Sequence, residues 1–146
     1  MIGAVRPIPV VFDCNIIISA IGWGGYPRRC LSLVAQRQIG FCATADTWSE
    51  YEQRAPAVLA KKRPGVNAQG TLDWLLTVAH FVKPMFLGKQ RGRDIKDDRY
   101  LACALGASAK FIVTNDRDLL DLGKPFGIQI VTPIQLLLHV KANTGL

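Results

Sequence analysis

Asp13, Glu50, Asp97, Asp98 and Asp116 are the residues of this 146-residue chain whose surroundings give carboxylates something to do. Asp13 closes the apolar run Ile8-Pro9-Val10-Val11-Phe12, and Asp116 follows Phe111-Ile112-Val113-Thr114 by two residues. Asp97 and Asp98 introduce Tyr100-Leu101-Ala102-Cys103-Ala104-Leu105, and Glu50 follows Phe41-Cys42-Ala43 at a short distance. Carboxylates gathered at one point repel, and some stay protonated at neutral pH unless a cation neutralises them. An oxygen-only acidic site suits a hard cation, Mg²⁺ or Mn²⁺, that keeps several waters. Such a site can activate water and stabilise charge developing on a phosphodiester.

The gathering depends on the elements that carry the acids. Apolar, β-favouring runs at 8–12, 41–43, 111–114 and 128–131 read as strands, with a further strand at 82–87 interrupted by Pro84. A helix or turn is expected over 15–20, and helices over 28–38 after Pro27 with Gly40 as its stop, and from a Thr44 or Asp46 cap through Trp48, Glu50 and Arg54. Others follow over 71–81, 97–109 and 115–120, and from Pro133 through 134–140. The stretch 55–70, with two prolines and two glycines, reads as irregular around a small helical piece. Strands alternate with helices, as in an α/β protein with a mostly parallel sheet covered on both faces. Without a repeat or linker, the chain is read as one domain over 1–146.

In such a sheet, residues just after a strand and residues opening a crossover helix share the carboxyl edge, where these folds bind ligands. Asp13, Glu50, Asp97/Asp98 and Asp116 all map to that edge. Helical phase puts Asp98 with Leu101, Ala102 and Leu105, the stripe expected on the sheet, and Asp97 about 100° round as a rim or cap residue. Asp94 falls in the loop or at the cap. Arg91, Arg93, Lys96, Arg99 and Arg117 surround the acids, with Lys61, Lys62 and Arg63 further along the chain. An acid pit inside a basic rim reads as a metal-dependent nuclease.

Each acid also has a plainer account. Asp13 fits an Asx turn, Asp97 and Asp98 fit a helix dipole, Glu50 fits a solvated helix face, and Asp116 and Asp118 fit caps of a short helix. His80 and His139 stand alone and read as packing or surface residues, and Trp23, Trp48 and Trp74 as core or interface. The net charge of +7 (18 basic, 11 acidic) suits a polyanionic partner. Cys14, Cys30, Cys42 and Cys103 make no CxxC or Cys/His cluster, which points to a reduced, cytoplasmic protein. No apolar run is long enough to span a bilayer, and the N-terminal residues read as a first strand rather than a signal peptide.

Val11-Phe12-Asp13-Cys14-Asn15 resembles the opening hDxN motif of PIN domains. Asp98-Arg99-Tyr100-Leu101-Ala102-Cys103-Ala104, then Phe111-Ile112-Val113-Thr114-Asn115-Asp116-Arg117-Asp118-Leu119-Leu120, resembles that family's second half, and Ile130-Val131-Thr132-Pro133 its last strand and helix start. The likeness runs nearly end to end and is greatest to single-domain toxins of toxin–antitoxin pairs. It implies a three-layer α/β/α sandwich, an Mg²⁺- or Mn²⁺-dependent ribonuclease, a cognate antitoxin as partner, and homodimers. By position, Asp13, Asp98 and Asp116 match the family's acids, Asn15 and Thr114 its supporting polar residues, and Asp118 an assisting one. The second acid of the family matches Glu50, with Glu52 as the alternative. Arg93, Lys96, Arg99 and Arg117 are then expected to contact RNA. A non-catalytic basic module that grips RNA or protein remains the competing reading; a receiver-like phospho-acceptor domain is weaker, for want of a Lys after a late strand.

Overall fold

The computed structural model describes residues 6–85 and 97–144, the side chains of 97, 143 and 144 excepted. Its centre is a sheet of β1 (Ile8–Phe12), β2 (Ile39–Ala43), β3 (His80–Phe81), β4 (Phe111–Val113) and β5 (Gln129–Val131). The order is β3-β2-β1-β4-β5, and every described pairing is parallel. Val10 pairs with Phe41 on one side and Phe111 on the other, and Phe12 pairs with Val113. β2 and β4 are buried along their whole length, as are Val10, Val11 and Phe12 of β1. That is why these strands read as continuous apolar runs: a parallel sheet is covered on both faces.

The covering helices are α1 (Cys14–Gly22), α2 (Gly25–Ala35), α3 (Ala45–Lys62), α4 (Ala68–Val78), α5 (Asp97–Ala107), α6 (Arg117–Leu120) and α7 (Pro133–Thr144). α5 lies on β1, β2 and β4, while α7 packs on β4, β5 and α2, and α2 on β2. The result is the three-layer α/β/α sandwich expected from the residues. The four cysteines are free and buried, and burial pushes the thiols of Cys14, Cys30 and Cys103 up to about 12. They pack as small apolar groups.

Several boundaries differ from the sequence reading, each for a local reason. The helix expected over 28–38 runs instead over Gly25–Ala35, and Gly40 does not stop it, because Gly40 is buried inside β2. Its end is set by Arg37 at φ 62°, with Arg37 N–H donating to the Val34 carbonyl (3.0 Å) and Gln38 N–H to that of Leu33 (3.0 Å). This is the left-handed helix ending that glycine usually occupies. α5 ends the same way at Ser108, φ 50°, through bonds to Leu105 and Ala104.

α3 continues unbroken through Pro56 where a break was expected. Pro56 removes one helix bond, but the buried side formed by Thr47, Trp48, Glu50, Tyr51, Ala55 and Leu59 holds the helix across it. Thr44 starts it with a reciprocal cap to Thr47. Residues 55–70 are therefore a helix end, a turn carrying Gly65 at φ 94°, and the Asn67 cap of α4, rather than an irregular stretch. α4 stops at Val78, short of the expected 81.

The strand expected over 82–87 is replaced by the short β3 at His80–Phe81; residues 86 and 87 lie outside the described ones. Past Val82 the chain leaves the sheet and runs against α5. Met85 N–H donates to the Ala102 carbonyl (3.0 Å), and a Cβ added to Gly106 would stand 1.9 Å from the Lys83 carbonyl oxygen. Only glycine permits this approach. Gly106→Ala should therefore destabilise the protein by about 1–3 kcal/mol, the usual cost of overpacking against backbone. Urea unfolding of the two proteins, compared at their midpoints, measures it.

Candidate active site at the switch point of the sheet

The chain order reverses between β1 and β4, which is where open α/β sheets form a crevice beyond their carboxyl ends. Asp13 leaves β1 at this point and Thr114 leaves β4, joined by the Asp13 N–H bond to the Val113 carbonyl (3.0 Å). Asp13 holds the cap position of α1, but its side chain makes no capping hydrogen bond. Its carboxylate accepts from the Thr114 hydroxyl at 2.7 Å, in a site where Asp13 is 7% exposed and Thr114 wholly buried. The Asx-turn account of Asp13 holds through the Asn15 N–H, and a contact between two strand ends is added to it.

Thr114 extends this contact. Its Oγ1 accepts from the Asp116 N–H (2.9 Å), and the Asp116 carboxylate accepts from the Asp118 N–H (2.9 Å) at the start of α6. Asp116 thus caps α6, as its plain reading required, and stands half-buried beside Asp13. Asn15 is exposed, its side-chain oxygen accepting from Arg54 (3.1 Å).

Glu50 comes to the same edge from α3. The preceding strand end fixes its helix: the Tyr51 hydroxyl donates to the Phe12 carbonyl, the last of β1. With Tyr51 turned to the sheet, Glu50 is 9% exposed and Glu52 lies in solvent. One Glu50 oxygen accepts from the Tyr100 hydroxyl, and the other is 3.7 Å from Arg99 Nη1. Arg99 Nε also lies 3.6 Å from Asp46. Tyr100 in turn accepts the Cys14 N–H (3.2 Å), one of the donors that an α-helix start leaves without a partner. The Tyr100 hydroxyl is therefore the point where α1, α3 and α5 meet. Burial holds its pKa far above the ordinary tyrosine value, so it stays a donor.

Asp98 is half-buried in the first turn of α5. The helical phase needs correction. The buried side of α5 carries Tyr100, Leu101, Cys103 and Ala104, whereas Ala102 and Leu105 are half-buried, so Asp98 lies at the border of the packed stripe and not at its centre. Tyr100 takes that central place because its ring packs inward while its hydroxyl finds two polar partners. Asp94, Arg91, Arg93 and Lys96 fall outside the described residues, as does the Asp97 side chain. Arg117 is exposed at the head of α6. Lys61, Lys62 and Arg63 lie at the far end of α3, about 25 Å from its start at 1.5 Å per residue, where Arg63 covers the Trp23 ring. His139 packs on the Phe111 ring, and His80 is exposed in β3.

Burial raises the Asp13 pKa; the Thr114 hydrogen bond and the Asn15 N–H oppose this, and the charges of Asp116 and Glu50 raise it further. Three carboxylates from three elements thus share one electrostatic environment. Among the described residues, no three His, Cys, Asp or Glu side chains already close into a metal cage. The donors nonetheless fit a hard divalent cation: they are oxygens only, and their mutual repulsion is what such a cation relieves.

Fold and site together define a parallel α/β sandwich with an acidic crevice at its switch point. The chain belongs to the PIN domain family, whose model matches residues 9–118. PIN domains are generally nucleases, and so hydrolases. Among solved structures the chain is similar to PAE2754 from Pyrobaculum aerophilum, at 18% identity and TM-score 0.61 over 97% of this chain and 94% of that one. It is also similar to VapBC2 from Rickettsia felis bound to a DNA fragment from their promoter, at 16% identity and TM-score 0.53 over 85% and 97%. No curated protein matches the chain. Among the described residues no helix is long and apolar enough to cross a membrane.

Tyr100→Phe would leave the Cys14 N–H and a Glu50 oxygen unsatisfied in a buried place, a loss of about 1–3 kcal/mol measurable by urea unfolding. Asp13 gives a pH signature. Its raised folded pKa means that its favourable contribution is complete below the unfolded-chain value of 3.8 and is lost as pH rises through the folded value. In chelator, Asp13→Asn should therefore be more stable than the parent at pH 7, with the difference shrinking towards pH 4. A difference that instead grows on acidification would contradict this assignment of charge.

Proposed function

We propose that the chain, as a single domain over 1–146, is an Mg²⁺- or Mn²⁺-dependent endoribonuclease and the toxin component of a toxin–antitoxin pair. The observation that carries the reading is the buried Asp13 carboxylate, held by Thr114 of a neighbouring strand end as well as by the Asn15 N–H and lying within the field of Glu50 and Asp116. A structural cap has no need of such company.

In this reading Asp13, Glu50, Asp98 and Asp116 hold the cation and orient the attacking water. The bound cation supplies Lewis-acid stabilisation of phosphate charge and an acidified water. Thr114 fixes the rotamer of Asp13, Tyr100 fixes Glu50, and Asn15 and Asp118 steady the rim. Water oxygen bonds to phosphorus, the bond to the 3′ oxygen breaks, and a proton passes to that oxygen, leaving 3′-hydroxyl and 5′-phosphate ends. Arg93, Lys96, Arg99 and Arg117 take the phosphate backbone, which carries affinity rather than sequence information. Resemblance to PIN ribonucleases supports RNA as substrate, and the fold shared with VapBC2 supports a cognate antitoxin partner. Four buried, unpaired thiols suit the cytoplasm, and a homodimer is the assembly proposed.

A second reading, a non-catalytic basic module, draws on one observation: Asp116 caps α6 as a purely structural residue would. The two part on cleavage of RNA by purified protein with Mn²⁺. Asp13→Asn and Asp98→Asn should abolish it, and Thr114→Val should lower it by about 10- to 100-fold, the usual cost of losing a residue that orients a metal ligand. Equal cleavage by the parent and both Asn variants would mark a contaminant and end the nuclease reading. RNA binding without any Mn²⁺ thermal shift would favour the module.

A further inference from the structure

Arg99 was expected on the outer rim, yet it is engaged with acids. From α5 its guanidinium reaches two acids of α3, with Nη1 3.7 Å from Glu50 and Nε 3.6 Å from Asp46. We infer that Arg99 is a built-in counter-ion: in the cation-free protein it neutralises Glu50, and cation uptake displaces it towards the phosphate backbone. The inference rests on the metal-dependent reading above and adds a role for one residue within it.

The chemistry runs as follows. A buried carboxylate is costly unless paired and hydrogen-bonded. The Tyr100 hydroxyl gives Glu50 a hydrogen bond but no charge, and the positive charge comes from the Arg99 guanidinium. Both Glu50 oxygens are therefore engaged before any cation arrives. A divalent ion brought to Glu50 would meet the guanidinium at close range, and the two cations compete for one carboxylate.

The geometry favours exchange. Tightly made charged hydrogen bonds measure about 2.7–2.9 Å, so pairs at 3.6 and 3.7 Å are held by field more than by contact. The Arg99 side chain is 23% exposed and Asp46 62% exposed, which leaves the guanidinium a path to solvent. Arg54, another guanidinium carried by α3, has a hydrogen bond to Asn15 to keep it. A released Arg99 lies on the carboxyl edge, one residue from Asp98, and its planar fork suits two phosphate oxygens.

Calorimetric titration of the chelator-stripped protein with Mn²⁺ tests this. Arg99→Gln should bind Mn²⁺ about 3- to 10-fold more tightly than the parent, the scale expected for removing one nearby, partly screened charge. Its affinity for a short oligouridine, measured in Ca²⁺, should fall. A merely structural residue would move both affinities in the same direction. Arg99→Lys, which keeps the charge, should stay near the parent for Mn²⁺, and so should Lys110→Gln, which removes an exposed charge before β4 at the opposite edge. Should the Gln variant fail to fold, Arg99→Met keeps the aliphatic stem without the charge. Mn²⁺ affinity unchanged or weaker on losing the charge, or raised equally by Arg99→Lys, overturns the inference alone. A parent protein that binds no Mn²⁺ overturns the metal-dependent reading and this inference together.

Discussion

The hydrogen bond from the Thr114 hydroxyl to the Asp13 carboxylate governs the arrangement of the carboxyl edge. It joins the ends of two adjacent strands whose residues lie 101 apart in sequence. β1 and β4 are brought side by side by the sheet ladder, and the hydroxyl then turns a buried charge towards the crevice between them. Asp13 also stands at the head of α1, where the Asn15 N–H is its other hydrogen-bond partner. The same oxygen of Thr114 accepts from the Asp116 N–H, so one small side chain holds the carboxylate of one acid and the backbone of another. Around it the rest follows: Tyr51 anchors α3 to the last carbonyl of β1, and Tyr100 ties α5 to both α1 and α3.

Asp13 is kept buried among like charges at some cost to the fold. Burial and like charge raise the Asp13 pKa, against a hydrogen bond that lowers it. Such opposition is common where a protein keeps a group ready for a ligand rather than for its own stability. Glu50 is treated differently, with a neutral hydroxyl on one oxygen and a cation near the other. The acids on this edge are thus held by unlike means, which gives them unlike readiness to accept a partner.

The layers, the parallel sheet and the edge that gathers Asp13, Glu50 and Asp116 were legible because they follow from strand–helix alternation, a rule of chain geometry. Glu50 was preferred over Glu52 on a loose local motif, and the physical reason, Tyr51 pointing at the sheet, burying Glu50 and leaving Glu52 in solvent, came only from the structure. Boundaries were less legible where a residue acted against type: Arg37 and Ser108 end helices in a conformation glycine usually takes, and Pro56 sits inside one. Tyr100 and Arg99 were hardest to read. A tyrosine on an apolar stripe and an arginine near a basic loop look ordinary, and their roles come from partners about fifty residues away in sequence.

α5 is pinned at both ends. Near its start, the consecutive residues Arg99 and Tyr100 both engage Glu50 of α3, one at each carboxylate oxygen, and at its far end Gly106 fits under the Lys83 carbonyl. A helix held this way has lost its freedom to turn about its axis: a rotation of one residue would break both attachments at once. Length variation among relatives should therefore spare this helix and gather elsewhere. The turn between α3 and α4 suits it, because Gly65 there faces open space at the edge of the molecule remote from the acids.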